Sequence, residues 1–384
     1  MKLAAIAAIL LLASAVPAIA PGPAVRYHQV SLAVGRGPRW IAVADVNHDR
    51  NPDILVANAD DGTVTVLLGD DTGAFHPSQG SPFAAGHLPN DMAVADMNGD
   101  GNTDLVIANH QSAFLTVLLG DGKGGFHPAP GSPFDVHSNP HPHGVAVADF
   151  NGDGKLDAVT DSWGANQIEL LLGDGTGRLR TPGRYFSVGR RPYERLRSAD
   201  FNHDGIPDIV TTNLDDGTVS MLLGDGKGGF HSAAGSPFPA GAKPWLVAVD
   251  DFDGDGNPDL IVIPYQRDIA SPSENSVTVL LGDGTGAFKP MPGSALSLEG
   301  CRGPDSVAGG DLRGDGIHSI VIACAQSRNL MLFERGHDRK IAVSSIPSGG
   351  GWGGVTVARL TNDRRAAIIS ADNDAGTITI HYLD

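Results

Sequence analysis

Five stretches of this chain set side-chain oxygens at alternate positions of a short loop. They run Asp45, Asn47, Asp49, Asn51, Asp53; Asp96, Asn98, Asp100, Asn102, Asp104; Asp149, Asn151, Asp153, Lys155, Asp157; Asp200, Asn202, Asp204, Ile206, Asp208; and Asp251, Asp253, Asp255, Asn257, Asp259. In each, Asp or Asn oxygens fall at the first, third, fifth and ninth positions. The seventh position varies from Asn to Lys to Ile, so a backbone carbonyl is expected to act there. Hard oxygen donors at such spacing suit Ca²⁺, whereas Mg²⁺ demands stricter octahedral geometry and keeps its waters. Gly at the sixth position of four loops tolerates the positive φ of a sharp turn. Asp, Asn and Gly also make good turns without any metal; five copies with one carboxylate spacing favour the metal reading. The sixteen carboxylates of the five loops would repel one another at close range. Five Ca²⁺ ions would move the formal charge from −17 to roughly −7, and their binding would add to the stability of the fold.

The copies are unequal. The first has Arg50 at the sixth position, which implies a strained turn or a weaker site. A sixth copy, "DLRGDGIHS", has Arg313 and Ser319 in place of two ligands, and a seventh, "RLTNDRRAA", keeps only Asp363 as a carboxylate. Neither is expected to hold metal. The first half of each loop resembles an EF-hand loop. The twelfth position of the second copy is Ile107, where an EF-hand has a bidentate Glu, and strands flank the loop instead of helices. The ninth Asp is therefore expected to take the closing role.

The elements that must position these loops form a repeat. "IAVADVNHDRNPDILVANADDGTVTVLLGDDTGAF" (41–75) recurs at 92–126, 145–179, 196–230 and 247–288, with weaker copies at 306–333 and 354–383. The pitch is about fifty residues, the signature of stacked supersecondary units. Each unit shows three β runs: a short apolar stretch before the acidic loop, "DILVAN", and "TVTVLLG" ended by a "GDGxG" turn. A weaker fourth run follows, as in "SPFAAG". Four strands per unit predict an all-β, seven-bladed β-propeller. The blades are expected at about 38–87, 88–137, 138–189, 190–241, 242–299, 300–349 and 350–384. The last unit stops after its third strand, and 24–35 matches a fourth-strand slot. The N-terminal strand should therefore complete the seventh blade and close the ring.

The loop D-x-[DN]-x-D-G-x-x-D between strands, followed by "LLGDGxGxF", resembles FG-GAP/VCBS repeat proteins and the heads of integrin α-subunits. The resemblance implies the propeller fold and structural calcium, and places ligand binding on the face opposite the calcium loops. It names no ligand, since such propellers serve adhesion, lectin and polysaccharide-lyase roles. That opposite face comprises the lead-ins to the first strands and the exits from the second. It offers Arg39, Trp40, Asn90, Asp91, His143, Tyr193, Glu194, Lys243, Trp245 and Trp352 as ligand-binding candidates. Aromatic faces beside amides and carboxylates suit sugar rings; the Trp residues could equally plug the channel as core. A carbohydrate or protein ligand is expected. The alternative is an extracellular polysaccharide lyase or hydrolase, with His143, Tyr193 and Arg191 as acid–base and charge-stabilising groups.

The chain as a whole frames these expectations. It has 384 residues, 41% of them hydrophobic, with 51 Gly and 26 Pro, which points to turns rather than long helices. Its net charge of −17 argues against nucleic acid as a partner. Residues 1–20, "MKLAAIAAILLLASAVPAIA", carry the pattern of a secretory signal, cut after Ala15, Ala18 or Ala20; an uncleaved anchor is the alternative. The mature propeller, 21–384, is then expected outside the cell or in the periplasm as a monomer without a membrane span. Cys301 and Cys324 are either a disulfide or two free thiols; a bridge would stiffen blade six in place of the metal.

Overall fold

The second run of the first five repeats, such as Asp53–Asn58 and Asp104–Asn109, is buried along its whole length. Neighbouring blades cover both of its faces, so it reads as a nearly continuous apolar stretch instead of alternating. The computed structural model describes residues 25–138, 140–193, 195–265, 275–361 and 365–384. Residues 1–20, expected above to be a signal segment, lie outside them, as do Glu194 and Asp363. The described chain forms seven antiparallel sheets arranged as propeller blades. Blade 1 consists of Pro38–Ala44, Asp53–Asn58, Thr63–Gly69 and Phe75–Pro77, in that order from the axis outward.

Blade 7 pairs Val355–Ala358, Ala367–Asp372 and Thr377–Leu383 with the N-terminal strand Tyr27–Ala33. Tyr27 lies opposite Leu383 and Ala33 opposite Thr377, so the first strand covers the outer edge of the last. The seam is also packed. Ile54, Val56 and Leu67 of blade 1 share a buried cluster with Ile369, Ile378 and Ile380 of blade 7. Other clusters join neighbours in the same way, as Leu55, Val64 and Val66 do with Met92, Leu105 and Ile107. The core is thus a ring of inter-blade interfaces, each buried side chain adding about 1.5–3 kcal/mol of burial.

The fourth strand is only partly where it was expected in four of the blades. In blades 1, 2, 4 and 5 it is split into two short pieces that pair with the same third strand. In blade 1 Phe75–Pro77 lies against Leu67–Gly69, and Phe83–Ala84 against Thr63–Val64. The "SPF" run is only the second piece. Where the ladder is broken, a serine hydroxyl supplies the missing acceptor: Ser81 Oγ accepts from Val66 N, Ser132 Oγ from Val117 N and Ser236 Oγ from Met221 N, each at 2.9 Å. A buried amide without an acceptor would cost about 1–3 kcal/mol.

Register separates the two faces of the ring. Pro38 lies opposite Asn58 at one end of the innermost hairpin, and Ala44 opposite Asp53 at the other. The acidic loops therefore emerge on one face. First-strand lead-ins and second-strand exits emerge on the other. Cys301 and Cys324 form a disulfide with a Cα–Cα distance of 5.2 Å. It ties the lead-in of blade 6 to the end of its second strand, at the edge away from the acidic loop. It therefore does not stand in for a metal at that loop.

Candidate functional site

On the acidic face each loop is wound around its first carboxylate. Asp96 accepts amides from Gly99 (2.8 Å) and Asp100 (3.2 Å) on one oxygen and from Gly101 (2.9 Å) on the other. Asp149 and Asp251 hold the same three amides of their own loops. The fifth residue then accepts from the seventh amide, as Asp100 does from Asn102 at 2.8 Å. Left-handed backbone is needed at two positions, the fourth and the sixth. Gly99 and Gly101 have φ of 72° and 86°, and His48 and Arg50 of the first loop have 60° and 71°.

The ninth carboxylates have a structural task of their own. Asp104 accepts from Met97 N and from Gly120 N, both at 2.8 Å, and so pins the loop to the end of the third strand. Asp53, Asp157, Asp208 and Asp259 repeat both bonds. All five are fully buried. Burial pushes each up to about 6; backbone amides oppose the shift and neighbouring loop carboxylates add to it.

These donors fit a hard divalent cation. In the fifth loop, oxygens of Asp251, Asp253 and Asp255 lie within 4.8 Å of one another. Each carboxylate oxygen that accepts one amide keeps a further lone pair. The side chains of Asn102 and Asn257 turn sideways, their Oδ1 atoms 2.9 Å from His48 Nε2 and His203 Nε2 of the preceding blades. Their carbonyls are the remaining donors at the seventh position. The sixth loop keeps the same winding about Asp311. Its third position, however, is Arg313, whose guanidinium pairs with Glu334 at 2.9 and 2.6 Å. A fixed positive charge there replaces a cation ligand.

On the opposite face, a cavity of about 140 Å³ lies at the axis. Its walls are Arg39, Asn90, His110, Tyr193, Arg195, Trp245, Tyr265, Asp305 and Trp352, from six of the seven blades. Five sequence candidates thus meet there: Arg39, Asn90, Tyr193, Trp245 and Trp352. Arg39 Nη1 donates to Asn90 Oδ1 at 2.7 Å. Trp245 meets Trp352 and Tyr265 edge to face, with centroids 5.4 and 5.2 Å apart.

Other candidates stand behind these walls. Trp40 donates its indole N–H to Met92 O and lies under the guanidiniums of Arg195 and Arg197, 4.2 and 5.1 Å from its ring. Asp91 is buried and accepts from Val145 N and Arg197 Nη1. Lys243 gives its carbonyl to Tyr265 N and is not among the wall residues. His143 is fully buried, with Nδ1 2.9 Å from Asp161 Oδ2. Its ring centroid lies 4.4 Å from that of Tyr193. Arg191 covers Tyr193 at 5.9 Å and pairs with Asp215 at 3.3 Å. The three acid–base candidates therefore meet, but with His143 sealed from solvent. Asp161 escaped the sequence reading. Its signal was a carboxylate inside a buried strand, "DAVTDS", where other copies carry Ala, Thr or Ile.

An FG-GAP-like repeat family matches residues 45–107, 96–160 and 200–262. No curated protein matches the chain. Among solved structures, BBS1N in complex with ARL6DN is similar at 10% identity with a TM-score of 0.62, covering 94% of this chain and 98% of that one. A protein from Lactobacillus plantarum matches at 15% identity and 0.60, covering 84% and 88%. A catalytically inactive virginiamycin B lyase from Staphylococcus aureus, with Quinupristin, matches at 12% and 0.56, covering 94% and 100%. At these identities the likeness speaks to fold alone.

Proposed function

Because the chain is a seven-bladed propeller carrying FG-GAP-like repeats, we propose that it is an exported, calcium-stabilised binding module whose ligand enters the axial cavity opposite the acidic loops. The observation that carries this reading is the composition of that cavity. Trp245, Trp352, Tyr193 and Tyr265 supply aromatic surface, and Arg39, Asn90, Arg195 and Asp305 supply polar atoms around it. Aromatic rings set among at least as many polar and charged groups suit a small polar ligand. A sugar ring has both needs: C–H faces stack on indole, and hydroxyls bond to amide, guanidinium and carboxylate. Calcium, when bound in the five loops, supplies charge compensation only; the loop residues wind the chain and close each hairpin.

A glycan array followed by titration calorimetry tests the reading. Binding of a saccharide that Trp245→Ala weakens at least tenfold, with the fold intact, supports it. Absence of saccharide binding argues against it. A protein partner is the second reading, supported by a similar propeller having been found in complex with a partner chain. For that reading, a partner captured by the intact chain must be lost with Trp352→Ala. Catalysis has less support, since His143 is fully buried and engaged by Asp161. Turnover in an unsaturated-uronate absorbance assay, abolished by Tyr193→Phe, would establish it instead.

A further inference from the structure

Three imidazoles converge where blade 2 meets blade 3. His110 follows the second strand of blade 2, Asp104–Asn109, while His141 and His143 precede the first strand of blade 3, Val145–Ala148. One nitrogen from each lies within 4.8 Å of the other two. The ring centroids are 4.3, 4.8 and 4.9 Å apart, with interplanar angles of 43°, 67° and 70°. The rings are thus tilted against one another instead of stacked. Asp161 holds the innermost of them. Its Oδ2 lies 2.9 Å from His143 Nδ1, and its Oδ1 accepts the backbone amides of His143 and Gly144, each at 2.8 Å. A carboxylate on Nδ1 fixes the tautomer so that Nε2 presents its lone pair, which is how outer carboxylates orient metal-binding histidines.

The geometry points to a divalent transition-metal site formed by His110, His141 and His143, with Asp161 as the residue that positions His143. Three imidazoles suit zinc and its neighbours in the transition series, whereas Ca²⁺ and Mg²⁺ prefer all-oxygen sets. Closing the three nitrogens onto a metal at about 2.0–2.1 Å needs side-chain movements of about 1 Å or less. Three protein ligands leave a fourth position open. His110 is also a wall of the axial cavity, so that position adjoins the space assigned to the ligand. An anionic or hydroxyl group of a bound molecule could take it. Trp163 packs beside His141 and His143, its ring centroid 6.3 and 6.0 Å from theirs, and screens the cluster. The nearby Arg191 guanidinium lies 5.3 Å over that indole, with its charge met by Asp215.

The test uses the whole chain, stripped with chelator and returned to millimolar Ca²⁺ so that the acidic loops are supplied. Titration with Co²⁺ should give one equivalent bound, with the intense visible bands of a low-coordinate nitrogen site, displaced by Zn²⁺. His110→Gln and His141→Gln, both half-buried, should each weaken binding at least tenfold. Asp161→Asn should weaken it about 10–100-fold. A substoichiometric signal, or a weak octahedral spectrum unchanged by both His substitutions, overturns the assignment. A readout without substitution covers variants that fail to fold. Zn²⁺ should protect His110 and His141 of the native chain from diethyl pyrocarbonate, and equal modification with and without zinc also overturns it. None of these measurements depends on the ligand of the cavity, so this site and the binding reading can fail separately.

Discussion

Arg50 holds a backbone conformation that its side chain disfavours. Its φ of 71° matches those of Gly101, Gly154, Gly205 and Gly256 at the same loop position, which lie between 79° and 89°. An L-residue in this region costs about 1–2 kcal/mol, part of which glycine returns as unfolded-chain entropy. Arg50→Gly should therefore raise stability by about 1 kcal/mol, read as a higher urea midpoint at unchanged slope. Asp104 and Asp100 should behave differently, although both belong to one loop. Asp104→Ala strands two buried amides, those of Met97 and Gly120, and should cost about 3 kcal/mol with or without calcium. Asp100 is exposed. Asp100→Ala should cost measurably only when calcium is supplied, and equal losses in chelator would deny it a metal role. The acidic spacing was legible because all its donors sit within nine residues. The second duty of the ninth Asp was not, because its partner glycine lies at the end of another strand.

Among the elements, the repeats were legible down to their first three strands, since "DILVAN" is buried at all six of its residues and "TVTVLLG" at five of its seven. In blades 1, 2, 4 and 5 only the second piece of the outer strand was found, because that strand is broken, in blade 1 into pieces of three and two residues, too short for any period to show. The serines that mend the break act through one hydroxyl each. The seam between the termini contains His381, fully buried on the last strand, with Nε2 3.0 Å from Ser370 Oγ. Burial lowers its pKa to about 4. The unfolded chain, with an ordinary histidine near 6.5, takes up the proton first as pH falls. Stability is therefore full above about 6.5 and lost progressively down to about 4. Between pH 6.5 and 5 the native chain should lose about 1.5 kcal/mol that His381→Gln does not. Parallel denaturation curves of the two at saturating calcium check this, and identical slopes would remove the seam histidine from the pH response.

At the scale of the whole molecule, seven blades bury their apolar faces only against one another, and the ring closes through Tyr27–Ala33 on Thr377–Leu383. The axial cavity and the histidine cluster exist only because that ring closes. Arg39 and Trp352 lie at opposite ends of the sequence, and His110 and Asp161 come from neighbouring blades. The cavity residues that a linear reading found, such as Trp245 and Asn90, were found through their shared place after a proline, not through any contact. Among the described residues no helix is long and apolar enough to cross a membrane. On the other face, five acidic loops crowd sixteen carboxylates around one rim, and the stability of the ring is proposed to rest on neutralising them. Differential scanning calorimetry of chelator-stripped chain, before and after millimolar Ca²⁺ is restored, tests this most directly. Several sites filled in the folded state alone should raise Tm by more than about 10 °C. An unchanged Tm would mean that the loops are turns and that the ring stands on its packing alone.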